Sequence, residues 1–161
     1  MKWINLTAYT LVFSSFFFSA CEKEDNLQLS EYASATIYMT GAQEVPAVTT
    51  TATGTISATY SQVTKILDYL VAWDGLSGNA AAAHIHGTAE TGVAAGVLQD
   101  FSNTSNPFPK TVSGYYKGSL FIDGVKFKEE FLLAGKYYVN IHTARNPGGE
   151  IRGQLILSKR N

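Results

Sequence analysis

Cysteine is almost missing from this chain. Its 161 residues contain one, Cys21, so no disulfide can form within the molecule. Charge is scarce as well: Asp, Glu, Lys and Arg make up 16% of residues and nearly cancel, to a formal net charge of −1. The basic side chains are scattered, which excludes the electrostatic footprint of a nucleic-acid binder or of a polybasic membrane patch. There is no G-x-S-x-G elbow, no glycine-rich phosphate loop and no carboxylate pair at an evident catalytic spacing, so the common hydrolase and nucleotide-binding classes lack support. Nor is there a clean apolar run of the roughly 20 residues that a membrane-spanning helix needs.

The chain does have apolar and aromatic content, at 45% and 12% of residues, enough for one packed domain and too much for disorder. Its start is set apart. Met1-Lys2 is a short positive opening, Leu6 to Phe18 an apolar run interrupted by Thr7, Thr10, Ser14 and Ser15, and Ser19-Ala20 a pair of small residues. That is the pattern of a cleaved export signal, with a membrane anchor as the alternative. Phe18-Ser19-Ala20-Cys21 resembles the lipobox of bacterial lipoproteins, which implies that Cys21 is acylated after cleavage. The polar stretch Glu22-Lys23-Glu24-Asp25-Asn26 then reads as a solvated tether, and resembles signals that direct some lipoproteins of Gram-negative bacteria to the cell surface. The expected organisation is a signal peptide at 1–20, a lipidated tether at 21–33 and one domain at 34–158. The expected address is the outer membrane or cell surface, with the membrane as partner through the lipid.

Within the domain, Thr, Val, Ile, Tyr and Gly fall in short runs between turns, as in strands. Leu67, Tyr69, Val71 and Trp73 alternate at period two before the Asp74-Gly75 turn and mark a core strand. Seven similar runs, at 35–40, 54–60, 81–86, 97–101, 115–122, 137–143 and 151–157, predict an all-β fold of about eight strands, a sandwich or barrel. Phe127, Phe131 and Ala134 recur at helical spacing ahead of Gly135, which predicts one short helix over 125–134. The longest loop-rich region is 88–114, broken by Gly92, Gly96, Pro107 and Pro109.

The three histidines form the sharpest chemical signal. In His84-Ile85-His86, residues two apart on a strand share a face about 6.6 Å apart, so both rings can turn to one ion. His142 lies in Tyr138-Val139-Asn140-Ile141-His142-Thr143, where Val139 and Ile141 are the apolar set and Asn140 and His142 the opposite one. If the two strands are neighbours, three imidazoles meet on the face away from the core, a set suited to zinc or copper. The alternative is three solvated surface histidines. Glu44, Glu150 and Arg152 stand in two glycine-flanked polar clusters. They read either as polar support and anion contact for the histidines or as a structural Glu-Arg pairing at strand ends.

Taken together, Thr40-Gly41-Ala42-Gln43-Glu44-Val45-Pro46, Gly75-Leu76-Ser77-Gly78 leading to Ala82-Ala83-His84-Ile85-His86-Gly87, and Tyr138 to Thr143 with Asn146-Pro147-Gly148-Gly149-Glu150-Ile151-Arg152-Gly153-Gln154-Leu155 resemble the CHRD domain, in order, across about 35–157. The name brings no settled activity. That family is in turn similar to copper-zinc superoxide dismutase, a Greek-key barrel, and the resemblance implies that His84, His86 and His142 match copper ligands and Arg152 a substrate-guiding arginine. No histidine remains for a bridging ligand or a zinc site, and no cysteine pair for the dismutase disulfide. The reading favoured is a cell-envelope binding module with an unidentified envelope or extracellular ligand. A copper- or zinc-dependent redox enzyme and a purely structural or adhesive domain are the alternatives.

Overall fold

A computed structural model describes residues 30–103 and 105–160. The expected export signal, Cys21 and the expected tether up to residue 29 lie outside the described residues. No helix among the described residues is long and apolar enough to cross a membrane.

All eight expected strands are present: β2 (Ile37–Thr40), β3 (Thr53–Ser61), β4 (Ile66–Asp74), β5 (Ala80–His86), β6 (Val97–Asp100), β7 (Gly114–Phe121), β8 (Tyr138–Thr143) and β9 (Ile151–Gln154). Two short ones join them, β1 (Glu31–Ala33) and β10 (Ser158–Lys159). β1 pairs with both β3 and β10, so the sheet takes in the last three residues of the segment expected to be tether.

Every described pairing is antiparallel. The strands run β7-β4-β3-β2-β9-β8-β5-β6, with β1 sharing the edge of β3 that β2 also uses. The sheet does not close on itself, so the fold is an open sandwich rather than a sealed barrel. The halves β7-β4-β3-β2 and β9-β8-β5-β6 join where β2 meets β9, at the Thr40–Arg152 pair. The chain crosses between the halves from β4 to β5, from β6 to β7 and from β7 to β8, as in Greek-key sandwiches.

The core lies between these halves and follows the alternation read from the sequence. Leu67, Tyr69, Val71 and Trp73 of β4 point in, as do Ile56, Ala58 and Tyr60 of β3, Ala83 and Ile85 of β5, and Val139 and Ile141 of β8. Phe101 stacks on Tyr116, with ring centroids 4.7 Å apart, and on Tyr69 at 5.4 Å. This aromatic group fills the end of the sandwich where the sheet stays open.

The helix is shorter than expected. Asp123 Oδ1 accepts hydrogen bonds from the backbone N–H groups of Val125, Lys126 and Phe127, which holds that stretch as a turn. Only Glu129–Leu133 forms α1, and Gly135 leaves it at a φ of +66°.

Ile141 is fully buried where β8 faces the opposite half of the sandwich. Ile141→Ala is expected to lower unfolding free energy by about 2–5 kcal/mol, measured by urea denaturation. A loss below about 1 kcal/mol would mean that the site is not packed as described.

Candidate metal centre

The register of β5 against β8 builds the site. His84 lies opposite Asn140, His86 opposite Tyr138, and Ala82 opposite His142. On the far side of β8, Asn140 faces Arg152 and Tyr138 faces Gln154. Since Ile85, Val139, Ile141 and Ile151 turn into the core, the alternate residues share the opposite face, and the three histidines meet there.

That face is not open. All six residues of β8 are buried, and His86, Asn140, His142 and Arg152 are each at most 9% exposed. Segments 87–96 and 144–149 cover it, and neither has a periodicity that sequence reading could use. Gly149 makes one cover fit: at its φ of +123°, a Cβ would stand 2.3 Å from Glu44 Oε1 and 2.6 Å from Asn140 Nδ2.

The ring nitrogens divide into an outer and an inner set. His86 Nδ1 lies 2.9 Å from the Ala95 carbonyl oxygen and His142 Nδ1 2.9 Å from that of Pro147. A carbonyl oxygen only accepts, so both Nδ1 atoms donate outward, and with a metal ion in place both Nε2 atoms would present lone pairs. His84 turns Nε2 toward the Asp100 carboxylate, 3.9 Å away, and its Nδ1 inward, 2.9 Å from His142 Nε2. Asn140 Oδ1 completes the inner set, 2.9 Å from Nε2 of both His86 and His142. The inner nitrogens of the three rings and Asn140 Oδ1 therefore converge within hydrogen-bonding distance of one another, while the outer nitrogens of His86 and His142 donate to carbonyls outside the cluster.

The ligand atoms of the three histidines lie within 4.8 Å of one another, a span that small ring rotations close around one ion with nitrogen bonds of about 2.0–2.1 Å. Imidazoles held by a second hydrogen bond to a carbonyl or carboxylate are what a metal site uses to fix tautomer and ring orientation. The donor set fits zinc or copper.

Electrostatics favour the neutral forms of His84 and His142. Burial pushes His84 down to about 4, helped by His142 and His86 and opposed by Asp100. Burial also lowers His142, against the pull of its bond to Pro147.

The remaining expected residues surround this centre without touching the rings. The Arg152 guanidinium carbon lies 3.4 Å from the centre of the Tyr138 ring, and the other face of Tyr138 stacks on His86 at 4.7 Å and an interplanar angle of 1°. Arg152 is thus one ring removed from the histidines, 2% exposed, and hydrogen bonded to Gln154. Glu44 lies beneath the cover beside Asn140. Burial raises it to about 7, although Arg152 and hydrogen bonding to Asn140 and Val45 act the other way.

Glu150 lies apart as a structural hub. It accepts hydrogen bonds from Thr50 Oγ1, from the backbone N–H and hydroxyl of Ser77 and from Thr143 Oγ1, at 2.7–2.9 Å. Burial alone would raise its carboxyl, but these donors prevail and hold it at about 2. Asn140, Tyr138 and Asp100 were not among the residues singled out from sequence. Parity already set Asn140 on the histidine face, and it needed only the strand register to become visible.

The family model for the CHRD domain matches residues 35–155, which contains every residue of this centre. No curated protein and no solved structure matches the chain.

Two predictions follow from the charges. Glu150→Ala strands several buried donors and is expected to cost about 2–4 kcal/mol of stability, read by urea unfolding. In metal-free protein, His84 and His142 take up protons more readily unfolded than folded. Their contribution to stability therefore declines as pH falls from 6.5 toward the His84 value near 4. Glu44 works in the opposite sense between 4.5 and about 7, because there the folded state binds the extra proton. Unfolding of Glu44→Gln followed from neutral to acid pH should therefore show a steeper acid decline than the parent, and adding His84→Leu should flatten it. Equal slopes in all three would contradict the assignment.

Proposed function

The chain belongs to the CHRD-domain family, and from that membership and the geometry of its histidines we propose that it is a metal-holding binding module of the bacterial cell envelope, tethered through a lipid on Cys21. One observation carries the metal reading: His84 Nδ1, His86 Nε2 and His142 Nε2 converge while their other nitrogens face Asp100, Ala95 and Pro147. Residues that only populate a wet surface have no need of such paired restraint. The export pattern ahead of Cys21 and the charged stretch after it support the envelope address.

Binding is favoured over catalysis by the position of Arg152. A residue that guides anions to a metal needs a path from solvent, whereas this guanidinium is buried on the far face of Tyr138. Its role is to hold Tyr138, and through it His86, by cation–π and stacking contacts of about 0.5–2 kcal/mol. Zinc or copper bound here would give the domain a charged, rigid centre under its loops.

The test is the metal content of untagged full chain after loading and desalting. The parent is expected to keep one zinc or copper ion per chain and His84→Ala/His142→Ala none. Retention should fail as pH approaches the His84 value near 4, where that imidazole protonates. Equal metal content in parent and double variant would overturn the proposal.

A further inference from the structure

The half of the sandwich remote from the histidines presents an outer face that the metal centre does not use. Pairing sets Tyr38 opposite Thr55, Thr55 opposite Ala72, and Ala72 opposite Tyr115, so one row crosses β2, β3, β4 and β7 with a tyrosine at each end. Those tyrosines are 69% and 64% exposed. Three strand spacings separate them, about 14 Å, and the two residues between are small. A groove of about 340 Å³ runs along Tyr38, Thr53, Thr55 and Asp74. Another of about 420 Å³ lies against Tyr115, Pro107 and Pro109, and a third of about 600 Å³ continues over Thr59, Asp68, Leu70 and Ser119.

The chemistry of this face is specific. Thr53, Thr55, Ser57 and Thr59 of β3 alternate outward, giving a file of hydroxyls. The charged residues on the outer positions of β4 and β7 are Asp68, Asp74 and Lys117. Both aspartates accept hydrogen bonds from serine hydroxyls, Asp68 from Ser119 and Asp74 from Ser113. A polyanion would meet two carboxylates against one lysine here, and an apolar protein surface would meet mainly hydroxyls between the tyrosines. A neutral polysaccharide matches both features: its C–H faces stack on exposed tyrosine rings, and its hydroxyls exchange hydrogen bonds with threonine, serine and carboxylate oxygens.

We infer that the outer face of β2, β3, β4 and β7 binds a neutral polysaccharide chain laid across the strands, with Tyr38 and Tyr115 as its two stacking platforms. The site is independent of the histidines, on the opposite half of the sheet, so a lipid-tethered domain would hold a glycan and a metal at once without competition.

The experiment is affinity electrophoresis of the full chain, in a detergent without a sugar headgroup, through gels containing hydroxyethylcellulose, arabinoxylan, galactomannan or laminarin. Retardation by at least one is expected. In Tyr38→Ala/Tyr115→Ala, with both changes at exposed positions, binding to that polymer should weaken at least about tenfold, while His84→Ala/His142→Ala migrates as the parent does. No retardation by any of the four, or equal retardation of the parent and the tyrosine variant, would overturn the inference.

Discussion

The structure depends on the pairing of β5 with β8. That one antiparallel contact puts His84 across from Asn140 and Ala82 across from His142, and because side chains alternate, it decides which residues make the core and which make the polar centre. A slip of one residue would turn the imidazoles into the apolar core and Ile85 or Ile141 into the polar centre. Apolar burial and chemical site are two faces of the same register, so neither can change alone.

The polar centre is held by complementarity of protons. Two backbone carbonyls and a carboxylate face the outer nitrogens, which leaves the inner ones turned to one another and to Asn140 Oδ1. A metal ion bound there would replace the contacts among the inner nitrogens with three nitrogen bonds of about 2.0–2.1 Å. The cover sets the energetic scale by removing water, lowering His84 and His142 and raising Glu44. Tyr138, between His86 and Arg152, ties this cluster to β9, and Glu150 pins the neighbouring loops through Ser77, Thr143 and Thr50.

Much of this was legible in the sequence, for a definite reason. Strands buried on one face advertise themselves by alternation, as Leu67, Tyr69, Val71 and Trp73 do, and the same parity set His84, His86, Asn140 and His142 on one side. What escaped was whatever lacks a period. Glu31–Ala33 and Ser158–Lys159 are too short and polar to alternate. The helical spacing of Phe127 and Phe131 arises partly from an Asp123-capped turn. The loops that cover the histidines are irregular, so a face expected to be wet is buried, and Arg152 and Glu150 prove to be interior groups whose partners come from distant segments.

The most direct test of the central claim is anomalous diffraction from crystals of the zinc-loaded protein. The account predicts one strong zinc peak bonded to His84 Nδ1, His86 Nε2 and His142 Nε2, with the Nδ1 atoms of His86 and His142 still on the Ala95 and Pro147 carbonyls. A peak elsewhere, rings turned to present their other nitrogens, or no peak among the three histidines after loading would contradict it.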